Sequence, residues 1–252
     1  MTKTVLITGA TGKLGQVFAR QLAEKDWALV LTSRDPDRCA SLAESLREFG
    51  VRVDVIELDL LSAQSYESIS NRLAERGIIV THVVSNARSL DTLALGKDGL
   101  AEAEPFLNEL ALDVVAPYRM LMAFARHAAH DLRGVVTIGS QYGEVGPNPA
   151  LYQGDLSRSP VQYGVAKAAL HHMTRELAVR LAPRVRINCV AFGGFAGRTN
   201  NDFQERYGRM APLGRMLTEE DAGGPVSFLL DDTASAAMTG HVLIADGGWS
   251  IW

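Results

Sequence analysis

Thr8-Gly9-Ala10-Thr11-Gly12-Lys13-Leu14-Gly15 follows a short apolar run, Val5-Leu6-Ile7, and opens an amphipathic segment. A strand, a glycine turn and a helix in that order make a phosphate cradle. The glycines permit a tight turn and let the backbone approach a pyrophosphate. The helix N-terminus adds free N–H donors and the positive end of its dipole. The context on both sides, rather than the glycines alone, makes such a motif specific. Gly9, Thr11, Gly12, Lys13, Leu14 and Gly15 are therefore candidates for holding a dinucleotide.

The rest of the chain repeats the same alternation. Short β-branched runs at 5–8, 28–32, 53–58, 82–85, 134–139, 186–190 and 242–245 read as strands. Amphipathic segments at 14–25, 36–49, 65–76, 102–130, 161–181 and 219–231 read as helices between them. Strands alternating with helices imply βαβ units and a parallel sheet. Buried parallel strands are apolar throughout, as Val135-Val136-Thr137-Ile138 is. The expected fold is α/β: a single doubly wound domain over 1–252, a Rossmann fold of about seven parallel strands with helices on both faces.

Adenine-ribose specificity is read at the end of the second strand, where an acidic residue would take the 2′-hydroxyl. This chain has Ser33-Arg34 there. Ser33 is suited to hydrogen-bond a 2′-phosphate and Arg34 to pair with it in a fork. Lys13 adds a positive charge nearby. The expected cofactor is NADP, with NAD the less favoured alternative. Asp59, with Leu60 beside it, ends the third strand; it either reaches the adenine amino group or caps the next helix.

A second constellation lies in the middle of the chain. Tyr163 and Lys167 are four residues apart and share one face of a helix. Ser140 ends the preceding strand. Together the three could move a proton to or from a substrate hydroxyl or carbonyl. An unperturbed tyrosine titrates near 10, and a cation one turn away favours its phenolate. Tyr163 lies 23 positions after Ser140, and the intervening residues at 146–160 are rich in Pro, Gly, Asn and Ser. This insertion forms a loop at about 143–160. It either meets a polar substrate, through Gln153, Asp155 or Arg158, or faces solvent. Gln141, next to Ser140, is a further substrate candidate. A second loop is expected at about 193–215, loosened by Gly193, Gly194 and Gly197. It acts either as a lid that excludes water or as a plain surface loop. Thr199 within it is a candidate contact for the nicotinamide amide.

Composition narrows the function classes. The 252 residues are 47% hydrophobic and 21% charged, with net charge −4, which suits an ordinary globular protein. No Lys/Arg block favours nucleic acid. No apolar run approaches the ~20 residues that span a bilayer, and Met1-Thr2-Lys3-Thr4 does not read as a signal peptide. Two distant cysteines, Cys39 and Cys189, fit a reducing compartment, so a cytoplasmic location is expected. His171-His172 point to different faces of one helix, and no metal site is expected. The apolar end, Trp249, Ile251 and Trp252, is expected to pack on a partner subunit or within its own chain.

These residues together resemble the short-chain dehydrogenase/reductase family. The likeness runs through the glycine turn, Asn86-Ala87, Ser140, Tyr163, Lys167, Thr239-Gly240 and Asp246-Gly247-Gly248. Phe203, Tyr207, Pro212-Leu213-Gly214-Arg215-Met216 and the final Trp249-Ser250-Ile251-Trp252 are similar to oxidoreductases of flagellin modification and sialic-acid-like sugar biosynthesis. The resemblance implies an enzyme that interconverts an alcohol and a ketone or aldehyde by hydride transfer, with nicotinamide carrying the hydride. Tyr163 would be the general acid/base, Lys167 the residue that tunes it and binds the ribose, and Ser140 the group that holds the substrate oxygen. Asn86, Ala87 and Gly193 would join the cofactor site. The chain would assemble as a homodimer or homotetramer, through the helices at 102–130 and 161–181.

Four positions depart from the family pattern. The turn's glycines have the spacing of the larger, sugar-nucleotide-modifying branch. Arg88 stands where the family has glycine, Asp113 where it has a water-holding asparagine, and Phe192 where it has proline. A carboxylate at 113 offers no N–H donor. The spacing from Ser140 to Tyr163 exceeds that usual in the smaller branch, which favours a sugar or sugar nucleotide as substrate. A 3-oxoacyl thioester reductase and a non-catalytic NADP-binding module are the alternatives.

Overall fold

The computed structural model describes residues 3–197 and 199–252. Residue 198, inside the expected second loop, lies outside the described residues, as do residues 1 and 2. Seven parallel strands form one sheet: β1 Thr4–Ile7, β2 Ala28–Ser33, β3 Val53–Glu57, β4 His82–Ser85, β5 Gly134–Ser140, β6 Arg186–Phe192 and β7 Val242–Ala245. Their order is β3-β2-β1-β4-β5-β6-β7. The chain winds outward from β1 in both directions, so the connections diverge between β1 and β4. At such a switch point an open α/β sheet leaves a crevice beyond the carboxyl ends of its strands.

The helices are α1 Lys13–Ala23, α2 Ala40–Arg47, α3 Ala63–Glu75, α4 Ala103–Leu110, α5 Ala116–Arg126, α6 Val161–Leu181, α7 Asn201–Met210 and α8 Glu220–Leu230. They cover the sheet with two apolar layers. Phe18, Leu22, Leu29, Leu31, Val226 and Leu229 belong to one. Leu6, Ile69, Leu73, Met120, Phe124 and Leu177 belong to the other. The central strands are buried on both faces, which is why they lack polar alternation, whereas the edge strands β3 and β7 are only partly covered.

Three expectations differ, two of them on one helix. The segment read as one helix over 102–130 is α4 and α5 joined by a π-turn, Ala111–Val115, with the Ala116 amide donating to the Ala111 carbonyl. Pro117 explains the interruption. It has no amide to donate to the carbonyl four residues back, at Asp113, and its ring would crowd that carbonyl. Widening the turn relieves the clash. The helix also ends earlier, because His130 folds inward to accept from the Val80 amide at 3.2 Å and to meet the Ser70 carbonyl at 2.8 Å. Finally, the loop expected at 193–215 contains α7. Asn200 caps it by accepting from the Phe203 amide at 2.9 Å, and Tyr207 anchors it at 1% exposure.

Candidate active site

A cleft of about 680 Å³ opens at the carboxyl ends of the strands. Gly9, Thr11, Gly12, Lys13 and Leu14 line it at the switch point, and Ser140, Tyr163 and Lys167 line it further along. The two constellations, far apart in sequence, thus face one space.

The glycine turn is built for close approach. Gly9 adopts φ +64°, and a Cβ there would lie 2.7 Å from the Ala87 Cα. A Cβ on Gly15 would lie 2.3 Å from the Gly9 carbonyl oxygen. Gly15 is therefore not a cleft wall; it lets α1 start against the turn. Asn86 braces the same turn from β4: its amide donates to the carbonyls of Thr8 at 3.0 Å and Gly9 at 3.2 Å. The Thr8 hydroxyl accepts from the amides of Asn86 and Ala87. These residues fit a dinucleotide: the cradle has backbone where side chains would block it, and it sits at a helix N-terminus.

At the adenine end, Ser33, Arg34, Asp59 and Leu60 line the cleft as expected from the sequence, and Arg38 joins them. Arg38 lies in the 3-10 turn Pro36–Cys39, which Asp35 caps by accepting from the Asp37 amide. That turn brings Arg38 to the cleft wall, and spacing alone did not show it. Lys13 lines the cleft too, but its charge is partnered. Its Nζ is held by Glu219 at 3.0 Å and by the Ala196 carbonyl at 3.2 Å. Asp59 reaches the cleft with its carboxylate accepting from the Leu61 amide at 3.0 Å.

At the other end, Ser140 is held by residues that the sequence did not single out. The buried His171 ring accepts from the Ser140 amide at 3.4 Å. Its Nδ1 meets Glu144 at 2.8 Å, so Nδ1 carries the proton. A Cβ on Gly139 or Gly143 would lie 2.2 or 2.4 Å from the ring. The two glycines around Ser140 were the available signal for a group clamped between them. Burial holds the His171 pKa below its ordinary value, against the pull of Glu144.

Lys167 is 6% exposed and donates to the Ile138 carbonyl at 3.1 Å. Its Nζ also lies 3.0 Å from Asp113 Oδ2, a buried ion pair. Burial would lower the ammonium pKa, but the Asp113 carboxylate and Tyr163 outweigh it and raise it. Asp113 itself does not line the cleft. The Tyr163 ring has Lys167 Nζ 5.7 Å and the Arg88 guanidinium carbon 4.9 Å from its centroid. Arg88 lines the cleft.

The insertion at 143–160 meets the cleft differently from expectation. Gln153 and Arg158 are exposed and do not line it. Leu151 and Tyr152 do, because the turn at 149–154 folds them inward. Tyr152 bonds Tyr142 through their hydroxyls at 2.6 Å and packs on Phe203 at 5.8 Å. This wall is aromatic rather than charged. Gln141, Gly193 and Thr199 line the cleft as well. Tyr207 links Gln141 to the backbone after β6, donating to Gln141 Oε1 at 2.7 Å and accepting from the Gly194 amide at 2.8 Å. Burial pushes the Tyr207 phenol up to about 12. Trp249 stacks on Tyr207 at 4.4 Å and is 5% exposed, so it packs within its own chain, whereas Ile251 and Trp252 are exposed.

Known proteins are similar to this chain over nearly its whole length. Residues 9–250 match the family model described as enoyl-(acyl carrier protein) reductase. The chain belongs to the short-chain dehydrogenase/reductase family and is an oxidoreductase. Galactitol 2-dehydrogenase of Rhizobium johnstonii is 29% identical, covering 98% of this chain and 95% of its own. Post-translational flagellin modification protein A of Campylobacter coli is 24% identical, covering 99% and 98%. A putative short-chain alcohol dehydrogenase of Sinorhizobium meliloti superposes with TM-score 0.84 at 26% identity, covering 99% and 97%.

Proposed function

We propose that this chain is an NADP-dependent oxidoreductase that interconverts an alcohol and a ketone or aldehyde through Ser140, Tyr163 and Lys167. The observation that carries the reading is that these three side chains share one cleft with the glycine turn. The pyrophosphate would rest on residues 9–14, the adenosine end near Ser33, Arg34, Arg38, Asp59 and Leu60, and the nicotinamide end near Asn86, Ala87, Gly193 and Thr199. The bound nicotinamide supplies the hydride. Ser140 holds the substrate oxygen by a hydrogen bond. Tyr163 gives its proton to that oxygen in reduction and takes it back in oxidation. Lys167, positively charged behind the ring, binds the ribose and favours proton release from the phenol.

The 2′-phosphate preference is supported by Arg34 and Arg38 together and by the lack of a carboxylate at Ser33. For the substrate, the wall of Tyr142, Tyr152 and Phe203 favours a sugar or sugar alcohol. Its C–H face would pack on aromatic rings and its hydroxyls would meet the phenol oxygens. A relative that oxidises galactitol, by its name, is consistent with this. A homodimer or homotetramer is supported by exposed apolar side chains at Leu107, Val115, Tyr118, Val161 and Val165, on and around α4 to α6. A cytoplasmic setting is supported by two buried free cysteines; no helix among the described residues is long and apolar enough to cross a membrane.

The test is NADPH oxidation with a panel of keto-sugars and other carbonyl compounds. Tyr163→Phe should lower kcat by about 10²-fold or more while NADPH still binds, as expected for loss of a general acid. Unchanged turnover in Tyr163→Phe would overturn the reading.

A further inference from the structure

Arg88 lines the cleft beside Tyr163, and the proposed reaction leaves it unused. Its side chain is exposed at the wall, with the guanidinium carbon 4.9 Å from the centroid of the Tyr163 ring. A guanidinium carries five N–H donors and a permanent charge. No hydrogen bond or ion pair among the described residues engages those of Arg88. Asp91, the carboxylate nearest to it in sequence, accepts instead from the Ser89 hydroxyl at 3.2 Å. Elsewhere the chain pairs its arginines: Arg52 with Asp54, Arg119 with Glu67, Arg186 with Asp232 and Arg215 with Asp221. A ring holds Arg88 in place and leaves its N–H fork open.

The charge around it is one-sided. Asp59, at the adenosine end, is the one carboxylate among the described residues that line the cleft. Lys167 Nζ lies 5.7 Å from the same Tyr163 centroid, so two cations stand around one ring. Asp113 answers the charge on Lys167; among the described residues none pairs with Arg88. An anion at the open fork would relieve the repulsion between the two cations and gain charge-assisted hydrogen bonds. In the proposed complex the cofactor's pyrophosphate rests on residues 9–14 and its 2′-phosphate meets Arg34 and Arg38, so Arg88 is left for the substrate. The contacts also run in a line. Tyr152 bonds Tyr142 at 2.6 Å, Tyr142 meets Tyr163 edge-on at 6.5 Å, and Tyr163 carries Arg88. Along this strip of contacts, phenol hydroxyls come first and the guanidinium last, with Tyr163 between them.

We propose that Arg88 selects a substrate whose polyol chain carries a carboxylate or a phosphate, an acidic sugar rather than a neutral one. The anion takes the Arg88 fork in two parallel hydrogen bonds, the reacting oxygen lies at Tyr163, and further hydroxyls meet Tyr142 and Tyr152. Arg88 thereby fixes which carbon presents its oxygen to Tyr163. A neutral polyol of the same length leaves the fork unpaired and binds more weakly. This inference rests on the role assigned above to Tyr163 and on the sugar reading of the aromatic wall.

D-Sorbitol, D-gluconate and D-sorbitol 6-phosphate share one polyol chain and differ at its end. Their binding to the NADP⁺ complex of the full chain is measured by calorimetry in Tyr163→Phe, which keeps the ring under Arg88 and should not turn the ligand over. Gluconate or sorbitol 6-phosphate should bind about 30-fold more tightly than sorbitol, the scale of a charge-assisted fork. Whichever binds better identifies the anion as carboxylate or phosphate. Adding Arg88→Met should remove that preference and leave the NADP⁺ Kd within about twofold. Arg88→Lys keeps the charge without the fork and should retain a preference of only about fivefold. If thermal unfolding shows that Arg88→Met does not fold, Arg88→Lys serves, and an undiminished preference in it overturns the proposal. So does no preference for either anion over sorbitol, a preference that survives Arg88→Met, or an NADP⁺ Kd that rises as much as the preference falls. Failure of the Tyr163 reading is separate: it shows as turnover retained in Tyr163→Phe, whichever ligand binds.

Discussion

Arg34 and Arg38 illustrate how far single residues could be read. Arg34 was legible because it occupies a known structural position, the end of β2. Arg38 was not, because a capped 3-10 turn decides where its guanidinium goes. Both line the cleft, as does Lys13, whose Nζ is held by Glu219. Arg34→Ala and Arg38→Ala should each raise the NADPH Kd about tenfold and leave the NADH Kd within about twofold, the scale of one charge-assisted hydrogen bond. Fluorescence titration with both cofactors checks it; equal losses for the two would remove the 2′-phosphate from the argument. Ser140, Tyr163 and Lys167 were legible for a related reason: strand end and helix face are short-range properties. Their supports, His171 and Asp113, come from packing across the chain.

At the scale of elements, the insertion after β5 and the segment containing α7 form one wall. The sequence shows a Pro/Gly-rich loop and a glycine-rich lid, and nothing local says that Tyr152 will pack on Phe203. Tyr207 is the joint. It links α7 to Gln141 after β5 and to Gly194 after β6. Tyr207→Phe keeps the stack on Trp249 but strands an amide and a buried Gln141 oxygen. It should cost about 2 kcal/mol in urea unfolding, the scale of buried groups left unpaired, and weaken NADPH binding through the Gly193–Gly194 backbone. A variant as stable as wild type would show that water takes over both bonds. The π-turn belongs to this scale too: Pro117 was visible, but a proline inside a helix can kink, end or widen it, and only the packed structure shows that widening happened and turned Asp113 toward Lys167.

Across the whole molecule, the two ends of the sheet do different work. The carboxyl ends hold the cleft, and the amino ends hold His82, which is 0% exposed. His82 meets Asp232 at 3.2 Å and Trp27 edge-on at 4.7 Å. Burial, partly offset by Asp232, lowers its pKa from 6.5 to about 4. The fold therefore favours the neutral ring, while the unfolded chain takes up a proton first as pH falls. Stability from this group is complete above about 6.5 and is lost toward about 4, amounting to roughly 3 kcal/mol at most. Urea midpoints should fall across that window in wild type and fall less in His82→Gln; parallel curves would assign the acid loss elsewhere. The parallel sheet, its helices and the cofactor turn could be read from the chain alone, because apolar periodicity and glycine spacing are local and repeat. The aromatic wall of the cleft, the pairing of Lys13 with Glu219 and the buried carboxyl behind Lys167 required the folded molecule. Each depends on side chains that meet only after distant segments pack, and on burial that decides which charges survive there.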